Sequence, residues 1–336
     1  MSDAPPPGGP GDLRLDGLVG SRVALRHRIG ERDGRPLFTD AVGTLSDGGV
    51  RDGVATVTIA TRRGDVVVAR DAVVAVREVP AAVPRRAPLT DVARLQNLCA
   101  DAWPALAERP LGAWRLRAAG GFSGRANAAV AVGDPGVGTA AALSIVRGFA
   151  EEHGVAPRVL APTGSPWSRA VRAEGWLADA GHEPGPEVST QVAACEVLAA
   201  DTPLSCSDAP SDGWWRTTVG GPPGAAQRHV LAGAGDRIAH LGFGVAGDPA
   251  DPDAVVRLAV VDDHLHLSCL AVTATGRRRG TGTALVAGAA RWGLERGARW
   301  LVLQVSTANP GGLAFWAALG TTEHHRYHYL VPPGDS

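Results

Sequence analysis

The sequence predicts an α/β fold on mixed sheet, carried behind a small all-β module, and three observations lead there. Between residues 17 and 80, Val, Ile and Thr alternate with polar residues and break at Asp-Gly, Gly-Gly and Arg-Gly-Asp turns, a period of two that belongs to strands. From residue 88 onward, segments of helical period alternate with short β-branched runs, the pattern of a mixed α/β sheet. The stretches 88–205 and 208–332 share one element order, helix, strand, strand, helix, strand, helix, strand. They read as two degenerate copies of one unit.

At 336 residues the chain suits two or three units. A hydrophobic fraction of 45% supports a sizeable core, and a net charge of −1 supplies no global field for nucleic acid or an acidic membrane. All 33 basic residues are arginine, and a GC-rich coding bias accounts for that together with the abundance of Ala, Gly and Val. Cys99, Cys195, Cys206 and Cys269 form no Cys-x-x-Cys pair and no zinc spacing. Set among apolar or small residues, they are expected as buried thiols. The opening MSDAPPPGGPGD lacks the apolar run of a signal peptide, and no stretch reaches the length of a membrane span. A cytoplasmic protein is the expectation.

Residues 1–16, rich in Pro, Gly and Asp, are expected as a disordered tail. The module at 17–80 holds SRVALRHRI, TDAVGTLSD and VATVTIATRRGDVVVARDAVVAVREV; about five strands in so short a stretch fit a barrel of the Src-homology-3 type. PAAVPRRAPLT at 80–90 reads as a linker ending in Thr90 as a helix N-cap, ahead of DVARLQNLCADAW. The middle unit continues with strands AWRLRAAGG and RANAAVAVG, a helix to about His153, the strand RVLAP, the helix SRAVRAEGWLADAG and the strand STQVAACEVLA. In the last unit a helix around 223–233 precedes strands RIAHLGFGVA, AVVRLAVVD and HLHLSCLAV. An Arg/Gly loop with its helix, the strand WLVLQVS, the helix GGLAFWAAL and the strand HRYHYLVP close it.

The loop TGRRRGTGTALV is the stretch with the clearest chemistry. Backbone N–H groups at a helix N-terminus lack intrahelical acceptors and sit at the positive end of the helix dipole. Gly280 and Gly282 let such a backbone approach a phosphate, and Arg277, Arg278 and Arg279 add forked donors. The loop lacks both the Gly-Lys-Ser/Thr of a Walker loop and the G-x-G-x-x-G of a dinucleotide fold. On physics alone, an anion site and a plain helix start stay open at even odds.

The segment LSCLAVTATGRRRGTGTALV resembles the coenzyme A signature of the GNAT superfamily of N-acetyltransferases, Arg/Gln-x-x-Gly-x-Gly/Ala. Arg277, Gly280 and Gly282 fill that signature, Val272 stands at its strand-ending Val, and Ala274 stands where many members have Pro. LQVSTANPGGLAFWAALG resembles the family's next motif through Asn309 and Gly320. The whole order is similar to actinobacterial three-part GNAT proteins with an N-terminal small β-barrel and tandem GNAT-like units. LRAAGGFSGRANAAV in the middle unit resembles their degraded first copy.

The resemblance implies an acetyltransferase that moves an acetyl group from acetyl-CoA, a co-substrate used without metal, to a primary amine by direct attack in a ternary complex. It implies pantetheine pairing along Leu270 and Val272. It implies a pyrophosphate on the loop from Arg278 through Arg279, Gly280, Thr281 and Gly282 to Thr283, with Arg277 and Asn309 beside the coenzyme.

Two departures from the family pattern bear on catalysis. His266 lies near the position where many members use Glu; with an unperturbed pKa of about 6.5 it is the candidate base. His264, His266 and Ser268 share one strand face, which a structural polar face explains as well. Asp262 and Asp263 are alternative bases that also suit a hairpin turn. Trp316 occupies the usual position of a general-acid tyrosine, so Tyr327 and Tyr329 become the candidate acids, although their alternation also suits a core-packed strand. His324, His325 and His328 lack an acidic or Cys partner set, and no metal is expected.

GFSGRAN lines an acceptor cleft or is plain turn chemistry, and Trp214 and Trp215 lean towards core. A small-molecule amine is slightly favoured over a protein acceptor; nucleic acid and membrane are not expected partners, and a homodimer is open. The alternative function is an acyl-CoA-binding sensor or scaffold that has lost turnover, which Trp316 and the absent Glu favour.

Overall fold

The computed structural model describes residues 15–61, 64–79 and 87–334. The chain divides into two compact units, Met1–Arg85 and Arg86–Ser336. In the first, β-branched runs between Gly turns form an antiparallel meander of β1 (Arg22–Arg32), β2 (Arg35–Arg51), β3 (Val54–Thr61), β4 (Gly64–Ala69) and β5 (Val73–Glu78). Their spatial order is β4-β3-β2-β1-β5. Alternation turns Val23, Leu25, Leu45, Val57 and Ile59 to one face, where they pack with Leu15, Val68 and Val73. Among the described residues no ladder joins β4 to β5, so hydrogen bonding makes this an antiparallel sheet of five strands. The tail expected over 1–16 lies outside the described residues up to residue 14; Leu15 is buried and Asp16 begins a short 3₁₀ turn. The linker reading over 80–86 also lies outside them.

The second unit begins with α1 (Leu89–Asp101), β6 (Ala107–Leu111), β7 (Trp114–Ala118), β8 (Ala129–Val130), α2 (Thr139–Glu152), β9 (Val159–Pro162), α3 (Pro166–Ala173), β10 (Leu177–Ala178) and β11 (Glu187–Ala194). It continues with α4 (Cys195–Leu198), β12 (Ser205–Ser207), α5 (Asp212–Val219), α6 (Ala225–Ala232), β13 (His240–Asp248), β14 (Asp251–Val261) and β15 (His264–Val272). It ends with α7 (Thr281–Leu294), β16 (Trp300–Ser306), α8 (Pro310–Ala318) and β17 (Thr322–Val331). One mixed sheet of twelve strands runs β12-β13-β14-β15-β16-β11-β17-β9-β8-β7-β6, with β10 paired to β17 at the side.

β11 comes from the middle stretch of sequence yet lies between β16 and β17, antiparallel to both, so that Thr190 is opposite Gln304 on one side and His325 on the other. Helix α7 covers β14, β15 and β16 through Leu285, Val286, Ala289 and Ala290, which meet Leu258, Leu265 and Leu301. Trp214 and Trp215 fall in α5 and are buried with Phe243 and Val255.

Several boundaries differ from the sequence expectation. Helix α1 is capped at Pro88 rather than Thr90. Helix α3 stops at Ala173, because Gly175 takes φ +82 and turns the chain into β10. Of RANAAVAVG only Ala129–Val130 forms a strand, and β6 was not expected. All four cysteines are free; Cys99 and Cys195 are buried, and burial pushes the Cys99 thiol up to about 12. No helix among the described residues is long and apolar enough to cross a membrane.

Candidate active site

β15 and β16 run parallel but pair only at His264↔Trp300, Leu265↔Leu301 and His266↔Val302. Beyond that last rung they part. The cause lies on the far edge of β15, where the register against β14 shifts so that Cys269 and Leu270 together oppose Val256. Cys269 adopts φ +54, a bulge that bends the strand away. β16 meanwhile keeps its ladder to β11 as far as Ser306. The result is a cleft of about 1150 Å³ walled by Leu267, Ser268, Cys269, Leu270 and Val272 on one side and Leu303 to Ser306 on the other. Ladder groups that the two strands turn towards each other there are left for a ligand.

The Arg/Gly loop stands at the mouth of this cleft. The N–H groups of Gly276 and Arg277 donate to Thr273 O, and Arg278 and Gly280 take φ +58 and +75 before α7 begins. Helix geometry leaves the N–H groups of Thr281, Gly282 and Thr283 without intrahelical acceptors. Arg277 folds back so that its Nε donates to Val272 O at 3.2 Å. A Cβ on Gly282 would lie 3.3 Å from Val272 Cγ2 and 3.5 Å from the Phe315 ring, so glycine lets the helix start rest on the strand end. Leu270, Val272, Arg277, Arg278 and Asn309 line the cleft; Arg279, Gly280, Thr281, Gly282 and Thr283 complete the loop without lining it. Asn309 caps α8, its Oδ1 accepting from Gly312 N at 2.8 Å.

The candidate catalytic groups separate into two places. Tyr327 and Tyr329 both line the cleft, with their hydroxyls 3.5 Å apart. Burial pushes both phenols up, so they keep their protons at neutral pH. His266 does not reach the lining. It is fully buried, neither ring nitrogen has a geometric hydrogen-bond partner among the described residues, and Trp103 lies at 6.4 Å between ring centroids. Burial first, then the charges of Arg125 and Arg257, hold its pKa well below the ordinary value. The imidazole is therefore neutral. Ser268, on the same strand face, does line the cleft, and its buried Oγ has no partner among the described residues. Asp263 accepts from or pairs with His264 Nδ1 at 2.7 Å, in keeping with its hairpin position. Trp316 packs into the α7 core while bordering the cleft.

A family model described as "Probable histone acetyltransferase Rv0428c C-terminal" matches residues 90–330. The chain belongs to this family. It is an acetyltransferase by family, with the fold of a GCN5-related N-acetyltransferase. A GCN5-related N-acetyltransferase from Kribbella flavida is similar over 72% of this chain and 96% of its own, at 15% identity and a TM-score of 0.51, a likeness of fold. A tandem GNAT protein from the clavulanic acid biosynthesis pathway covers 56% of this chain and 68% of its own, at 17% identity and a TM-score of 0.41. No curated protein matches the sequence.

In this acetyltransferase the middle stretch supplies the far wall of the cleft. Ser123, Gly124 and Arg125 of the GFSGRAN segment line it, joined by His182 and Glu183. Asn127 holds the segment in shape with all four side-chain hydrogen bonds made. Its Oδ1 accepts from Ala119 N and Gly121 N, and its Nδ2 donates to Phe122 O and Ser123 O. A Cβ on Gly124 would fall 2.5 Å from His182 Cε1 and 2.9 Å from Tyr329 Cζ, so only glycine lets the segment lie against those rings. Composition hinted at this loop, but nothing in the sequence marked Trp103 or Gln304, which support Arg125 from distant elements.

Proposed function

We propose that the chain transfers the acetyl group of acetyl-CoA to a primary amine by direct attack in a ternary complex. The observation that carries this reading is the parting of β15 from β16 beyond His266↔Val302, with the Arg/Gly loop at the mouth of the gap. Pantetheine would add to the free edge at Leu270 and Val272, and the pyrophosphate would take the first-turn N–H groups of α7 with Arg277 and Arg278 beside it. At the bulge, backbone N–H groups would stabilise the oxyanion as the amine nitrogen bonds to the acetyl carbon. The C–S bond then breaks, the amine proton passes to solvent in the cleft, and a protonated phenol of Tyr327 or Tyr329 serves the leaving thiolate.

A small-molecule amine is preferred to the histone acceptor named in the family description, because the acceptor end of the cleft is cationic. The same reading takes the first unit as a Src-homology-3-type barrel, residues 88–205 as a degraded GNAT-like copy, 208–332 as the catalytic copy, and the protein as cytoplasmic. Calorimetric titration with acetyl-CoA, followed by free-thiol release against an amine panel, tests it. Saturable binding with amine-dependent release is expected. The sealed His266 and the hydroxyl-free Trp316 favour a second reading, an acyl-CoA sensor. Tight binding without release on any amine would establish that instead.

A further inference from the structure

Resting on the acetyltransferase reading above, we infer that the acceptor is an amine that carries a carboxylate close to its nitrogen, held by Arg125. The guanidinium of Arg125 lies over the Trp103 ring at 4.3 Å, and its Nη1 donates to Gln304 Oε1 at 3.2 Å. Gln304 sits two residues beyond the last β15–β16 rung, so Arg125 stands at the closed end of the gap, where the reacting centre would be. No carboxylate pairs with Arg125 among the described residues, and its remaining donors have no acceptor there. A guanidinium fork left free in a cleft matches a carboxylate in two parallel hydrogen bonds.

The surroundings strengthen the positive field. Arg257 is fully buried, lies over the same Trp103 ring at 5.3 Å, and donates to the carbonyls of Leu231 and Ala102, with Nη2 unpaired among the described residues. Arg117, buried below, donates to the carbonyls of Ala100, Trp103 and Arg125 and pairs with Glu108 at 3.2 Å. Glu183, the one acid on the cleft wall among the described residues, is exposed. A cationic lysine side chain entering this end meets like charge with little screening. An amine whose own carboxylate neutralises Arg125 does not. Ser268, which lines the cleft on the β15 side, has a buried Oγ with no partner among the described residues and could supply a further hydrogen bond for such a group.

The test compares kcat/KM for β-alanine against β-alaninamide, L-leucine against L-leucinamide, and a lysine-rich basic peptide, all with acetyl-CoA. Each acid should exceed its amide by about tenfold or more, and the basic peptide should be poorest. Arg125→Gln should bring the acid-to-amide ratio near one, and Arg125→Lys, which keeps the charge but loses the fork, should retain part of it. The wild-type comparison needs no variant, so a misfolded substitution does not decide the matter. Amides acetylated as well as acids, or a preferred basic peptide, would overturn the inference while leaving the acetyltransferase reading intact. Failure to bind acetyl-CoA or to acetylate any amine would overturn both.

Discussion

Arg125 and Gln304, 179 residues apart in the chain, meet across a 3.2 Å hydrogen bond that ties the GFSGRAN loop to the strand bounding the cleft. The cleft therefore depends on both halves of the second unit. Variants in either half should disturb it.

Asn127→Ala removes an acceptor used by two N–H groups and a donor used by two carbonyls. The loss should be about 3 kcal/mol in denaturant unfolding, since buried backbone groups are left unpaired. Turnover should fall as well, because the loop that presents Arg125 loses its brace. An unchanged midpoint would remove Asn127 from this role.

Gly280→Val places a β-branched residue at φ +75, where an added Cβ meets nothing but the backbone conformation is strained. The strain is about 1–2 kcal/mol, while the methyl groups project where a phosphate would approach. Acetyl-CoA affinity measured by calorimetry should drop by more than about tenfold with only a modest fall in Tm. Retained affinity would relocate the pyrophosphate.

His266→Gln should leave acetyl-CoA affinity unchanged and alter kcat by less than about tenfold, because the ring is sealed from the cleft. A general base contributes about 10²–10⁴-fold. A loss of that size would make His266 the base after all, acting through Ser268.

Tyr327→Phe and Tyr329→Phe, made singly, separate acid from core. Each phenol is buried and has the other as its hydroxyl neighbour. The tyrosine that serves the thiolate should lower kcat by about 10²-fold at unchanged Tm. If neither variant changes kcat, the thiolate leaves unassisted.

Acid should unfold the protein early. His325 is bonded to Gln96 through Nε2, and burial followed by the neighbouring His324 lowers its pKa to about 3. The unfolded chain takes up that proton at about pH 6.5 while the fold refuses it, so stability is complete above this value and declines as pH falls towards 3. Burial lowers His264, His266 and His324 in the same direction. Tm should fall between about pH 6.5 and 4, and His325→Gln should flatten the decline; a Tm level across that range would contradict it.

The sequence by itself determined the mixed α/β class, the strands in front, and an Arg/Gly-rich loop at 277–283 that runs into a helix. Each is written in local terms: a period of two or of 3.6, and glycines where a chain turns into a helix. Only the tertiary structure decided the rest. β11 lies between β16 and β17 because long-range pairing, not local pattern, sets its neighbours. His266 and Ser268 share one strand face, yet the parting of β15 and β16 seals the first and opens the second. Arg125 is one arginine among thirty-three in sequence; it becomes a recognition group only where Trp103 and Gln304 hold it at the cleft without a carboxylate of its own.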